Sequence, residues 1–296
     1  MAVFVLGMHR SGTSALAQIA GELGFTLPVD LIPPGPDNLE GFGESVSLTS
    51  FNDGILDVLG GAWHSPPACA QDWAPLAARV REQARETLLG AYPDAAADSR
   101  WAWKDPRLCI VLPMWRALFA DASLRAVLVF RNPVSVARSL VAANRTEWRL
   151  HTLEFALALW ERYTGCLLGN LRSSDEVLFT DFDRLVGDGA YREDWSQQLR
   201  VLLAPDVERD GTTVAAAVDG RLKPGLVSHR VEEFPVVVEQ RELYRRLRLH
   251  ADAFSGEIPV CPPESAETTA LLEAHRACQQ GECAHYAGAD ALSERP

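Results

Sequence analysis

The stretch AVFVLGMHRSGTSALAQIAGELG, Ala2 to Gly24, decides the fold. Ala2 to Leu6 is a short apolar run that stops at Gly7, as a buried strand does, and Ser14 to Leu23 carries apolar residues at helical spacing before Gly24 closes it. Between them lies GMHRSGTS, Gly7 to Ser14. A glycine loop joining a strand to a helix turns its backbone N–H groups, and the positive end of the helix dipole, toward a phosphate or sulfate. The spacing is that of a P-loop, but Thr13 stands where nucleoside triphosphatases carry lysine, and the cation is Arg10, on the other side of Gly12.

Outward from this unit, strands and helices alternate. Arg100 to Lys104 and Glu176 to Thr180 read as short strands, and Leu124 to Phe130 as the clearest buried one. Helices are expected over Ser45–Leu59, Ala74–Ala91, Leu150–Leu171 and Tyr191–Leu203, with another opening at Pro133 behind Asn132. Such alternation implies an α/β fold, a P-loop-like core whose parallel sheet is flanked by helices on both faces. One domain is expected over residues 1–260. Within it, residues 25–75 lose their periodicity among prolines and glycines, which marks a substrate-lining segment more than a spacer. Residues 261–296, rich in Ala, Glu and Pro with one helix over Glu264–Gln280, are expected to be a peripheral tail.

Composition bounds the function. The chain has 296 residues, 28 Lys+Arg against 40 Asp+Glu, a net charge of -12 and 47% hydrophobic residues, which is ordinary globular composition. So acidic a chain is unsuited to nucleic acid or an anionic membrane as its general partner, so any anion site must be local. The six cysteines show no disulfide-scaffold rhythm and read as thiols of a reducing compartment. No basic, apolar export signal opens the chain and no run suits a membrane span, so a cytoplasmic protein is expected. His275, Cys278, Cys283 and His285 lack the paired CxxC of a zinc ribbon, and no metal is expected. Only Lys104 and Lys223 are lysines, which singles each out.

Three motifs together resemble the sulfotransferases that use 3′-phosphoadenosine 5′-phosphosulfate (PAPS), in the bacterial branch whose loop reads R-S-G-T-[ST] and which is similar to the glycosaminoglycan and tyrosylprotein types. The loop is the first. The second is RNPVSVARS, in which Arg131 ends a strand and Ser139 follows eight residues later, about two turns into the next helix. The third is WKDPR, Trp103 to Arg107, similar to the family's K-x-P segment. These segments span roughly Met1 to Leu185, where EVLFTDFDRL adds a weaker, more structural likeness.

The resemblance implies that Arg10, Ser11, Gly12, Thr13 and Ser14 hold the 5′-phosphosulfate, that Arg131 and Ser139 hold the 3′-phosphate, and that Lys104 stabilises the transferring group. Arg221 and Lys223, in GRLKPGLVSHR, are placed as a late loop over the nucleotide. In-line transfer to a hydroxyl needs a base for the acceptor proton. DNLEGFGES matches the family's N-x-x-G-x-x-E through Asn38, Gly41 and Glu44, so Glu44 is the candidate, with Glu40 and His64 as competitors; His9 is read as orienting the loop. The acceptor is left as a small molecule, glycan or natural product. A small-molecule kinase is the first rival, with magnesium dependence its mark; a catalytically inactive nucleotide-binding protein is the second.

Overall fold

The computed structural model describes residues 1–35, 38, 40–69, 71–93, 100–119, 123–143, 152–203, 213–222, 236–254 and 256–279. Four parallel strands form its sheet: β1 (Ala2–Leu6), β2 (Trp101–Lys104), β3 (Arg125–Phe130) and β4 (Glu176–Asp181), in the order β2-β1-β3-β4. Alternation along the strands sends their side chains to two cores. Val3 and Val5 pack with α1 (Thr13–Glu22) and α8 (Gly189–Leu203); Phe4 and Leu6 face α2 (Val46–Val58), α3 (Trp73–Ala91), α4 (Leu108–Leu118) and α6 (Leu153–Asn170). The expected α/β architecture is the observed one, with helices on both faces.

The remaining helices are α5 (Pro133–Ala143), α7 (Phe182–Gly187), α9 (Val214–Arg221), α10 (Val238–Ala253) and α11 (Ala266–Gln279). α6 is the central post, with Trp160 and Tyr163 fully buried. Two charged residues on it also face inward, and each is satisfied. The Glu161 carboxylate accepts from Ser265 N (2.6 Å), Ser265 Oγ (2.8 Å) and Thr268 Oγ1 (2.7 Å). Arg162 pairs with Glu264 and donates to the carbonyls of Pro66 (3.2 Å) and Pro67 (3.0 Å). These bonds, with Leu272 buried, fasten α11 to α6. Residues 261–279 are therefore part of the packed fold instead of a peripheral tail, because buried hydroxyls satisfy the Glu161 charge; Cys283 and His285 lie outside the described residues.

The same post corrects the reading of the cysteines. Cys69 and Cys166 form a disulfide with their Cα atoms 5.0 Å apart, inside the range a bridge can span. A separation of 97 residues leaves no local trace of the pairing, so the cysteines no longer argue for a reducing compartment. In the chain-entropy account, closing a loop of this size constrains the unfolded state by about 4.7 kcal/mol. Urea midpoints with and without reductant should therefore differ clearly, and coincident midpoints would show that the two thiols are unpaired in solution. Among the described residues no helix is long and apolar enough to cross a membrane.

Candidate functional site

The carboxyl ends of β1, β2 and β3 converge on one cavity of about 690 Å³, as ligand sites do in open parallel sheets. At the end of β1 the chain enters the Gly7–Gly12 loop. A Cβ on Gly7 would lie 2.3 Å from the Val129 carbonyl oxygen, and one on Gly12, at φ 98°, would lie 2.3 Å from the Phe182 ring. Only glycine fits either place. Between them Arg10 takes a left-handed φ of 67°, a cost of order 1 kcal/mol or more that other contacts must sustain. Among the described residues no side-chain hydrogen bond caps α1, so the backbone N–H groups of its first turn are open to a ligand.

The end of β2 supplies Lys104 and Arg107. Glu44 reaches them because Ser45 caps α2, its Oγ accepting from Leu48 N (3.1 Å), and because the Glu44 carbonyl accepts from Ile32 N (2.8 Å). Lys104 Nζ donates to Glu44 Oε1 and lies 3.5 Å from Ser14 Oγ. Arg107 Nη1 is 3.5 Å from Glu44 Oε2, while its Nε and Nη2 donate to Asp53 at 2.6 and 3.0 Å. Asp105 accepts from Arg107 N (2.9 Å) and from Asn52 Nδ2 (2.9 Å), and Asn52 Oδ1 accepts from the Trp115 indole (2.8 Å). Burial pushes the Glu44 carboxyl above its ordinary value, against the pull of Lys104. Burial together with Arg107, Lys104 and Arg10 holds His9 well below its ordinary value, so its imidazole is neutral.

The end of β3 supplies Arg131. Its Nε donates to Asp183 Oδ1 (2.8 Å), and Asp183 Oδ2 accepts from Asn132 N (3.0 Å). Its Nη2 is buried with no partner among the described residues. Asn132 Oδ1 caps α5 through the N–H of Val134 (3.0 Å) and Ser135 (3.3 Å), which aims Ser139 at the loop. Arg10 Nε donates to Ser139 Oγ at 2.9 Å.

Most of the residues named from sequence therefore meet. Arg10, Gly12, Thr13, Ser14, Glu44, Lys104, Arg131 and Ser139 all line the cavity. Ser11 is buried beside it with its hydroxyl unpartnered among the described residues. Glu40 lines the mouth, with Oε2 3.9 Å from Arg221. Arg221 itself pairs with Glu22 on α1 and is not among the described lining residues; Lys223 lies outside the described residues. His64 also stands apart, its Nδ1 3.4 Å from His275 Nε2. Asn38 Nδ2 donates to Ser14 Oγ (3.3 Å), linking the N-x-x-G-x-x-E segment to the loop. Arg107 escaped sequence reading although WKDPR contains it. Among the described residues the lining holds four cations (Arg10, Lys104, Arg107, Arg131) against two carboxylates (Glu40, Glu44), a local reversal of the chain's overall charge. No group of three or more described His, Cys, Asp or Glu could hold a metal ion.

No family model matches the chain, and no curated protein does. Among solved structures it is similar to the sulfotransferase domain from the curacin biosynthetic pathway, at 16% identity over 94% of this chain and 96% of that one, with a TM-score of 0.43. It is also similar to the sulfotransferase domain from the Synechococcus PCC 7002 olefin synthase, at 17% identity over 93% and 94%, with a TM-score of 0.40. Function has to be read from the cavity's own residues.

Proposed function

We propose that this chain transfers a sulfuryl group from PAPS to an acceptor hydroxyl. The observation that carries the reading is the meeting of two anion-binding ends in one cavity: the uncapped Gly7–Ser14 loop with Arg10, and Arg131 with Ser139, joined by the Arg10–Ser139 hydrogen bond. A nucleotide donor that carries two separate anionic groups on its ribose, at the 5′ and 3′ positions, fits that pair. The buried, unpartnered Nη2 of Arg131 is the donor such a site would leave waiting.

The loop N–H groups and Arg10 would hold the 5′-phosphosulfate; Arg131 and Ser139 would hold the 3′-phosphate. In the transfer the acceptor oxygen bonds to sulfur, the bond from sulfur to the phosphate oxygen breaks, and the acceptor proton goes to Glu44. Lys104 is shared between Glu44 and the loop hydroxyl of Ser14. Negative charge developing on the loop side draws the ammonium that way, and a carboxylate that loses part of its counter-ion becomes the stronger base.

The first test is nucleotide selectivity. Arg131 and Ser139 make charge-assisted bonds only to a 3′-phosphate, and losing such a bond costs about 1.5–3 kcal/mol. 3′-Phosphoadenosine 5′-phosphate (PAP) should thus bind about 10- to 100-fold more tightly than adenosine 5′-phosphate. Calorimetry showing equal affinities would remove the second anchor. A magnesium requirement with ATP binding would assign a kinase instead.

A further inference from the structure

Between Arg10 and Arg79 the sequence contains no lysine or arginine and eight Asp or Glu residues. That span supplies about half of the cavity's described lining, from the anion loop and α1 to Trp63, which makes one wall of it. Its charged lining residues among those described are Glu40 and Glu44, and its large apolar ones are Ile32, Phe42 and Trp63. The cavity's cations come instead from the Gly7–Gly12 loop and the ends of β2 and β3, and each already has a polar partner: Arg10 with Ser139, Arg131 with Asp183, Lys104 and Arg107 with Glu44.

We infer that this wall receives an uncharged, largely apolar alcohol, and that an anionic glycan is not the acceptor. The inference rests on the sulfuryl-transfer reading above and narrows its acceptor. The cations that face the cavity are engaged, Lys104 and Arg107 by Glu44 and Arg10 and Arg131 by the two ends of the donor in the reading above. A carboxylate or sulfate on the acceptor would therefore meet Glu40 and Glu44 without a cation of its own on this side. An apolar body has the opposite experience. Ile32 is bonded through its backbone to Glu44, Phe42 lies two residues from Glu44, and the Trp63 ring stands 5.1 Å from that of His9. All three line the cavity that also holds Glu44, so an apolar acceptor body would remove apolar surface from water against them.

The hydroxyl has its own partner. Thr49 lies one turn into α2 from Ser45, its N–H donating to the Ser45 carbonyl at 3.0 Å. Its side chain lines the cavity, is buried, and has an Oγ1 with no hydrogen bond among the described residues. Helical threonines commonly return such a hydroxyl to their own backbone, and a buried one without a partner is unfavourable. Thr49 and Glu44 line the same cavity, so an acceptor hydroxyl that donates to Glu44 would have its oxygen free to accept from Thr49 and give that hydroxyl the partner it lacks.

The test is equilibrium binding to the full chain saturated with PAP, using 2-naphthol, methyl β-glucoside and a sulfated, glucuronate-containing disaccharide. 2-Naphthol should bind at least tenfold more tightly than either sugar. Thr49→Val should weaken naphthol about fivefold, as loss of one neutral hydrogen bond does, with PAP affinity unchanged. Glu40→Lys should raise the affinity of the anionic disaccharide more than that of naphthol. Disaccharide binding equal to or tighter than naphthol, or no measurable naphthol binding, overturns the inference while PAP binding keeps the sulfuryl-transfer reading intact. Failure to bind PAP at all overturns both.

Discussion

Glu44→Gln should bind PAP at least as well as the parent while transfer to an accepted alcohol falls by roughly 10²–10⁴-fold, the span usual for removing a general base. The amide is isosteric, so the buried side chain keeps its volume. The donor is anionic, and deleting a nearby carboxylate relieves repulsion and releases Lys104 from its ion pair. The pH profile gives a second, independent readout. Burial raises the Glu44 carboxyl above its ordinary value of 4.5, opposed by Lys104. A base works only when ionised, so parental turnover should fall as pH drops through that raised value. The acid limb should then lie above the usual glutamate range and vanish in Glu44→Gln. Glu40→Gln and His64→Ala, run in parallel, should retain turnover, since Glu40 faces Arg221 at the mouth and His64 faces His275. A near-parental Glu44→Gln beside a dead Glu40 or His64 variant would move the base to that residue.

How much of this was legible follows from where the physics is local. The strand, loop and helix of Ala2–Gly24 could be read because a tight anion-binding turn demands glycine at fixed places. Gly7 and Gly12 are indeed closed to a Cβ by Val129 and Phe182. The strand ends at Lys104 and Arg131 were legible through the abrupt change from apolar run to cation. α4 was not: eight of its eleven residues are buried and Pro113 stands inside it, and an apolar run carrying a proline does not read as a helix from sequence. Arg107 was overlooked because its meaning depends on Asp53 and Glu44, 54 and 63 residues away, and no short-range pattern encodes such a contact. The Cys69–Cys166 bridge and the docking of α11 through Glu161 were hidden for the same reason.

Lys104 is where stability and catalysis are most entangled, and its replacement should separate them. Lys104→Ala should lower kcat by about 10²–10³-fold, the usual cost of one electrostatic donor at a developing charge, and weaken PAP binding far less. The same change leaves Glu44 buried with Arg107 at 3.5 Å as its remaining cation, and breaking a buried pair by removing one partner typically destabilises by about 3–5 kcal/mol. A loss of activity alone would then be ambiguous. The double variant Lys104→Met/Glu44→Gln resolves it, because removing both charges with groups of similar size relieves the uncompensated carboxylate. Its thermal midpoint should recover toward the parent while kcat stays as low as in the worse single variant, since groups that act together on one transfer do not lose activity additively. If the double variant regains stability and turnover together, Lys104 serves the fold; if Lys104→Ala keeps a parental kcat, the ammonium belongs to Glu44 as a counter-ion and has no part in stabilising the transferring group.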